Sequence, residues 1–514
     1  MPAPSCAAGR PSRRGLALGF GLLSGGLLFL NTATRPRATL PELAGPRRYW
    51  EELAIAASQF MHHDSPPGLP ELSIASGEGT ELRHTLRRYL EREAQARQLR
   101  PWEFWRTLAL KPAHRRPERL IPRDYDDKGR PALVTFAFRA LGGVAPYFPV
   151  WLGALATLPV LIWAALELVA AGRPIAAGLF TLGVACSAHV VDLLALPYSA
   201  AGFYHVGLVA LVPLATYALL GHGRSRSGLA LRLLLAGTLF ALCVVTRGSA
   251  MALLPGYLLA VLLATRRVLA APSLRQWVLP ALAAASLFLA PYVLLRQPGH
   301  HAVWGDLWQG LGDFDSSKGH TWSDPALRTL LRKHGMRLHR NVGVEFESDE
   351  SERIARGVVL EHAREGPLWL ASILAKRTLA TLTQWKLWPQ GQERTYRATT
   401  RANEGTIDRY YGLAATADVL GMGPWRWELP MPLWLAPSAA LLLTGLAALA
   451  GPRLRAWRPR LGPPLGALAC VAFGALALPV AFTTGSLEMQ GFVVVYLFGL
   501  ALVAENRPPA TDAS

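Results

Sequence analysis

The chain has 514 residues, 51% of them hydrophobic and 17% charged, with a formal net charge of +18. A mean hydropathy of +0.23, with apolar residues gathered into runs long enough to cross about 30 Å of hydrocarbon, excludes an ordinary set of soluble domains. The excess Arg lies beside those runs, or mixed with acids in two long polar stretches, and forms no lone basic arm. That distribution argues against nucleic acid and for short cytoplasmic loops that collect cations.

In chain order, Arg10, Arg13 and Arg14 precede the apolar run Gly15–Leu30, which resembles a signal peptide. The following Asn31-Thr32-Ala33-Thr34 is a poor cleavage site, so the segment is predicted to stay as a first span, Gly15–Asn31. A polar stretch follows from Thr32 to about Ala145. Within it Leu53, Ala56, Ala57 and Phe60, and then Leu82, Leu86 and Leu90, recur at helical spacing, as in amphipathic helices lying on a membrane. Six spans come next: Pro149–Ala171, Ile175–Leu194, Tyr198–Leu220, Leu229–Val245, Ser249–Ala264 and Trp277–Leu295. A second polar stretch, Arg296 to Pro430, holds a helix over Ser351–Glu365 and another over Leu368–Trp388. The latter carries Lys376, Arg377 and Lys386. Each charge would cost roughly 2.5–3.5 kcal/mol near mid-bilayer, so a juxtamembrane position is predicted. Met431–Ala450, Pro463–Phe482 and Leu487–Ala504 close an all-α polytopic chain of ten expected spans.

The organisation is therefore a tail and first span (1–31), a first loop (32–148), a six-helix core (149–295), a second loop (296–430) and three terminal spans with a tail (431–514). With the N-terminus cytoplasmic, the short inner loops hold Arg173, Arg224, Arg226, Arg266, Arg267, Arg275 and the cluster Arg453–Arg460. The short outer connections hold Arg247 alone. This is the positive-inside asymmetry, and it puts both long polar stretches on the non-cytoplasmic side. Cys186, Cys243 and Cys470 sit in apolar runs and Cys6 in the tail, so no disulfide framework or zinc spacing is present.

This layout resembles the GT-C class of membrane glycosyltransferases, in particular the bacterial branch of protein mannosyltransferases and aminoarabinose transferases. The resemblance is carried by Tyr49-Trp50-Glu51-Glu52-Leu53-Ala54 at the start of the first loop, and by Gly129-Arg130-Pro131-Ala132-Leu133 through Leu141-Gly142 before the second span. Further on it is carried by Thr246-Arg247-Gly248-Ser249-Ala250 with Pro255, and by the acidic helix, Glu365-Gly366-Pro367 and Lys376-Arg377. The family's acidic pair, which precedes the first-loop aromatics, reads Pro46-Arg47-Arg48 here, with Glu42 before and Glu51 after. The resemblance implies transfer of a sugar from a polyprenyl-phosphate donor to a glycan, lipid or protein acceptor, in a bacterial-type inner membrane.

Such chemistry needs a carboxylate near the acceptor hydroxyl and cations near the departing phosphate. The candidate carboxylates are Glu51, Glu52, Asp64, Asp126 and Asp127, each equally explained as a solvated helix face or turn. The candidate binding residues are Arg247, Lys376, Arg377, His189, Asp192 and His205, for which headgroup contact or a structural histidine is the plain alternative. No cofactor motif is evident, no ligand cluster calls for a metal, and the sequence neither demands nor forbids a divalent ion. The competing class is a non-catalytic protein: a transporter or a scaffold for envelope polysaccharide assembly, including an inactive relative of the GT-C class. Few charges within the spans and no internal repeat count against transport.

Overall fold

The computed structural model describes residues 13–34, 73–75, 120–122, 148–187, 201–221, 226–268, 303–312, 317–320, 324–338, 348–383, 416–418, 428–430, 458–481 and 491–505, with isolated positions at 133–142 and 190. The elements are α1 (Arg13–Thr34), β1 (Ser73–Ala75), β2 (Leu120–Pro122), α2 (Phe148–Ala170), α3 (Pro174–Cys186), α4 (Ala201–Leu219), α5 (Arg226–Thr246), a 3₁₀ turn (Gly248–Leu253) and α6 (Leu254–Val268). They continue as α7 (Val303–Gly310), α8 (Asp324–Lys333), α9 (Asp349–Glu365), α10 (Pro367–Thr383), β3 (Thr416–Asp418), β4 (Glu428–Pro430), α11 (Arg458–Ala481) and α12 (Phe492–Ala504).

Apart from two three-residue antiparallel ladders, β1–β2 and β3–β4, the described elements are helical. Five helices are long and apolar enough to cross a membrane: Arg13–Asn31, Leu152–Ala170, Gly202–Leu219, Gly228–Thr246 and Gly248–Thr265. Three shorter apolar helices, Pro174–Cys186, Pro463–Leu478 and Phe492–Ala504, pack among them. The chain is a helical membrane protein. The expected spans Trp277–Leu295 and Met431–Ala450 lie outside the described residues.

Small residues set the close helix approaches, as is common where helices pack in lipid. Gly21 and Gly25, one turn apart on α1, meet Ile162 and Leu158 of α2. A Cβ on Gly256 of α6 would lie 2.6 Å from the Cys470 carbonyl and 3.0 Å from Gly474 Cα of α11. Tyr257 of α6 donates its hydroxyl proton to the Gly207 carbonyl of α4 at 2.7 Å.

These contacts run the helices in alternating directions. At one end of the bundle, Asn31 of α1 donates to the Ala185 carbonyl of α3 at 2.8 Å, and Gly491, before α12, rests on Tyr204 and Leu208 of α4. The 3₁₀ turn lies at this same end, with Leu253 against Gly207. At the opposite end the Glu505 carboxylate accepts from the backbone N–H groups of Ile175 (3.2 Å) and Ala176 (2.8 Å), capping α3. Gly466 meets Leu219 there as well.

Helix α3 stops at Cys186, where Ser187 turns extended (φ −69°, ψ 109°) and its hydroxyl accepts the Val190 N–H at 3.3 Å, so the expected span Ile175–Leu194 is interrupted there; positions 191–194 lie outside the described residues. A second correction concerns α9. Its cap is Ser348, whose hydroxyl accepts from the Ser351 backbone at 3.2 Å, so the helix begins earlier than the expected Ser351. Ser351 is buried in the first turn.

Helices α7–α10 form a second, polar body around Trp308, Leu311, Leu327, Leu331, Ala355, Val358, Val359 and Ile373. Glu352 of α9 accepts from Trp304 (2.9 Å) and Gly305 (3.0 Å), closing the N-terminus of α7. Helix α10 contributes Ile373 to this core and also packs on α11. It is the link between polar body and bundle.

Candidate functional site

Arg377 projects from α10 onto the C-terminus of α11, where its Nη1 donates to the carbonyls of Val480 (3.2 Å) and Ala481 (3.0 Å). Those carbonyls have no partner inside their own helix and carry the negative end of its dipole, so a guanidinium is well matched to them. The side chain is fully buried. Its neighbour Lys376 is exposed. The two cations expected to act together thus diverge, one tying the polar body to the bundle and the other facing outward.

Arg247 lies at the same end of the bundle, between α5 and the 3₁₀ turn. Its N–H donates to the Cys243 carbonyl at 2.7 Å, and its own carbonyl accepts from Ala250 at 2.9 Å. Its backbone is extended (φ −146°, ψ 106°) and the residue is half-buried. His205, one turn into α4, is fully buried, edge-on to Tyr204 with ring centroids 5.5 Å apart and close against Gly491. Glu51, Glu52, Asp64, Asp126, Asp127, His189 and Asp192 lie outside the described residues. The structure therefore brings Arg247, Arg377 and His205 to one end of the bundle. No group of three or more potential metal ligands occurs among the described residues.

Two constellations escaped the sequence reading. Arg232 of α5 pairs with Glu167 of α2 at 2.6 Å, the Trp163 indole donates to the same carboxylate oxygen at 3.1 Å, and the guanidinium covers the Tyr217 ring at 4.2 Å. Glu167 is buried, and the cluster joins α2, α4 and α5 at the end away from Arg377. Arg232 falls six residues into its helix, which is the signal that would have found it: a cation one and a half turns inside a span needs a partner.

The second is in the polar body. His320 is fully buried, with Nδ1 2.9 Å from the Trp308 carbonyl and Nε2 2.8 Å from His362 Nδ1. Its ring stacks on Trp369 at 5.5 Å, tilted by 25°. Since the carbonyl can only accept, Nδ1 of His320 carries hydrogen, its Nε2 accepts, and His362 donates from Nδ1. Burial above all holds the His320 imidazole down to about 4; the hydrogen bond to the Trp308 carbonyl opposes it, and the charges of His362, Lys318 and Arg377 add to the lowering. Lys318 closes the site by donating to the His362 carbonyl at 3.2 Å and pairing with Glu365 at 3.4 Å. His320 and His362 lie 42 residues apart, so no local motif announces them.

No protein-family model, curated protein or solved structure matches this chain.

Proposed function

We propose that this protein is a membrane glycosyltransferase of GT-C type, moving a sugar from a polyprenyl-phosphate donor to an envelope acceptor on the non-cytoplasmic face of a bacterial-type inner membrane. The observation that carries the reading is the attachment of the polar body, through Arg377, to the bundle end that also presents Arg247. Given a cytoplasmic N-terminus, α5 and α11 both finish on the outer face. A lipid-borne phosphate at that level would meet Arg247 at the boundary between headgroups and hydrocarbon, where a cation is costly unless it has a task. The departing phosphate gains charge as the glycosidic bond breaks, so a fixed guanidinium favours the transition state over the bound donor. A carboxylate from the first loop, among Glu51, Glu52, Asp64, Asp126 and Asp127, would take the acceptor proton.

The test incubates membranes holding the protein with labelled polyprenyl-phosphate sugars. Labelled product from the parent protein, lost in Arg247→Ala at equal expression, is the expected outcome. Unchanged transfer in the variant removes Arg247 from the mechanism, and no product from any donor sinks the enzyme reading.

One observation favours a second reading, a non-catalytic scaffold for envelope polysaccharide assembly. Arg377, expected to bind phosphate, is instead seated on helix carbonyls. A scaffold would keep its cellular role in Arg247→Ala and in every carboxylate variant.

A further inference from the structure

His320 is where four parts of the polar body converge. It sits in segment 317–320, its Nδ1 holds the Trp308 carbonyl of α7, its Nε2 holds His362 of α9, and its face lies on Trp369 of α10. Helix α10 in turn is fastened to the bundle by Arg377, whose charge is felt at His320. We propose that the His320–His362 couple is a proton-binding site that governs docking of the polar body on the membrane bundle, with proton uptake releasing α10. The idea stands apart from the transferase reading and does not depend on it.

The geometry accepts only the neutral couple without rearrangement. A proton added to His320 makes both its ring nitrogens donors, so His362 must give up donation from Nδ1 and carry its hydrogen on Nε2 instead. The new charge is shut in a fully buried ring. Among the described residues, the charged groups acting on it are cations: Lys318 from its own segment and Arg377 from α10, with His362 from α9 able to become a third. Helix α7 offers its Trp308 carbonyl, already used, and the Trp308 ring at 5.3 Å, neither of which carries a charge. Glu365 of α9 is drawn to Lys318. The cheapest relief is separation of α9 from α10, which gives the imidazolium water and moves it from Arg377. The depressed basicity of His320 agrees with this account.

Glu352 is a second acid-responsive group in the same body, because burial raises its carboxyl while the N–H groups of α7 oppose the rise. The experiment must separate the two. The full-length protein in phosphatidylcholine nanodiscs is followed by amide hydrogen exchange between pH 7.5 and 4.5, corrected for intrinsic rates. Parent protein should show at least tenfold faster exchange over residues 349–383 at pH 4.5, while residues 201–219 stay unchanged. His320→Gln should show no such rise, and Glu352→Gln should keep it. No rise in the parent, an equal rise in His320→Gln, or a rise lost in Glu352→Gln overturns the proposal. If His320→Gln already exchanges fast over 349–383 at pH 7.5, the parent and Glu352→Gln profiles decide by the same criteria.

Discussion

Replacing Arg377 with Met keeps the length and apolar stem of the side chain while removing the guanidinium that binds α11. Two hydrogen bonds from a charged donor to the Val480 and Ala481 carbonyls disappear, and such bonds contribute about 1.5–3 kcal/mol each. Met no longer carries a charge that must be kept from water, so part of this loss is recovered. The net expectation is about 3 kcal/mol against the docked position of α10, or roughly a hundredfold in the opening equilibrium. Hydrogen exchange on the full-length protein reads it directly: amides of residues 367–383 should exchange about a hundredfold faster, with residues 254–265 unaffected. Arg377→Lys should fall between, since an ammonium lacks the planar fork. Unchanged exchange in Arg377→Met would refute the assignment of Arg377 as the tie between polar body and bundle.

Other expectations follow from particular contacts. Breaking the Glu167–Arg232 pair by Arg232→Met leaves a buried carboxylate and should cost about 3 kcal/mol in thermal or chemical unfolding, whereas Glu167→Leu with Arg232→Met together should cost less than the single change; a single variant as stable as the parent would show that the pair is not coupled. Gly256→Ala forces a Cβ against backbone of α11 and should lower stability by about 1–3 kcal/mol, while Gly357→Ala, exposed in mid-helix with nothing within 4 Å, should raise it by about 0.5–1 kcal/mol. Ser348→Ala removes the α9 cap and should cost about 1 kcal/mol, seen as faster exchange in the first turn of that helix. For the pH dependence, His320 binds its proton less readily folded, at about 4, than unfolded at 6.5. The unfolded chain therefore holds more protons between these values, and the polar body should lose roughly 3 kcal/mol as pH falls through that window. A denaturation profile of that body flat from pH 7 to 4 contradicts the sign.

The membrane character was decided by the sequence alone, because crossing a bilayer is a requirement on length and apolarity that each segment meets by itself. Runs such as Pro149–Ala171 and Leu229–Val245 therefore return as α2 and α5 nearly end for end. The second-loop helices expected over 351–365 and 368–388 were likewise legible, returning as α9 from Asp349 and α10 from Pro367, with 384–388 outside the described residues. Tertiary structure decided which charges are partners. Lys376 and Arg377 are neighbours in sequence, yet adjacent residues on a helix point about 100° apart, so one faces outward while the other reaches α11. Glu167 and Arg232, 65 residues apart, meet only because α2 and α5 both pack against α4, and His320 finds His362 only when α9 folds over segment 317–320. Hydropathy acts residue by residue along the chain, whereas ion pairs and imidazole couples depend on distances that exist only after packing.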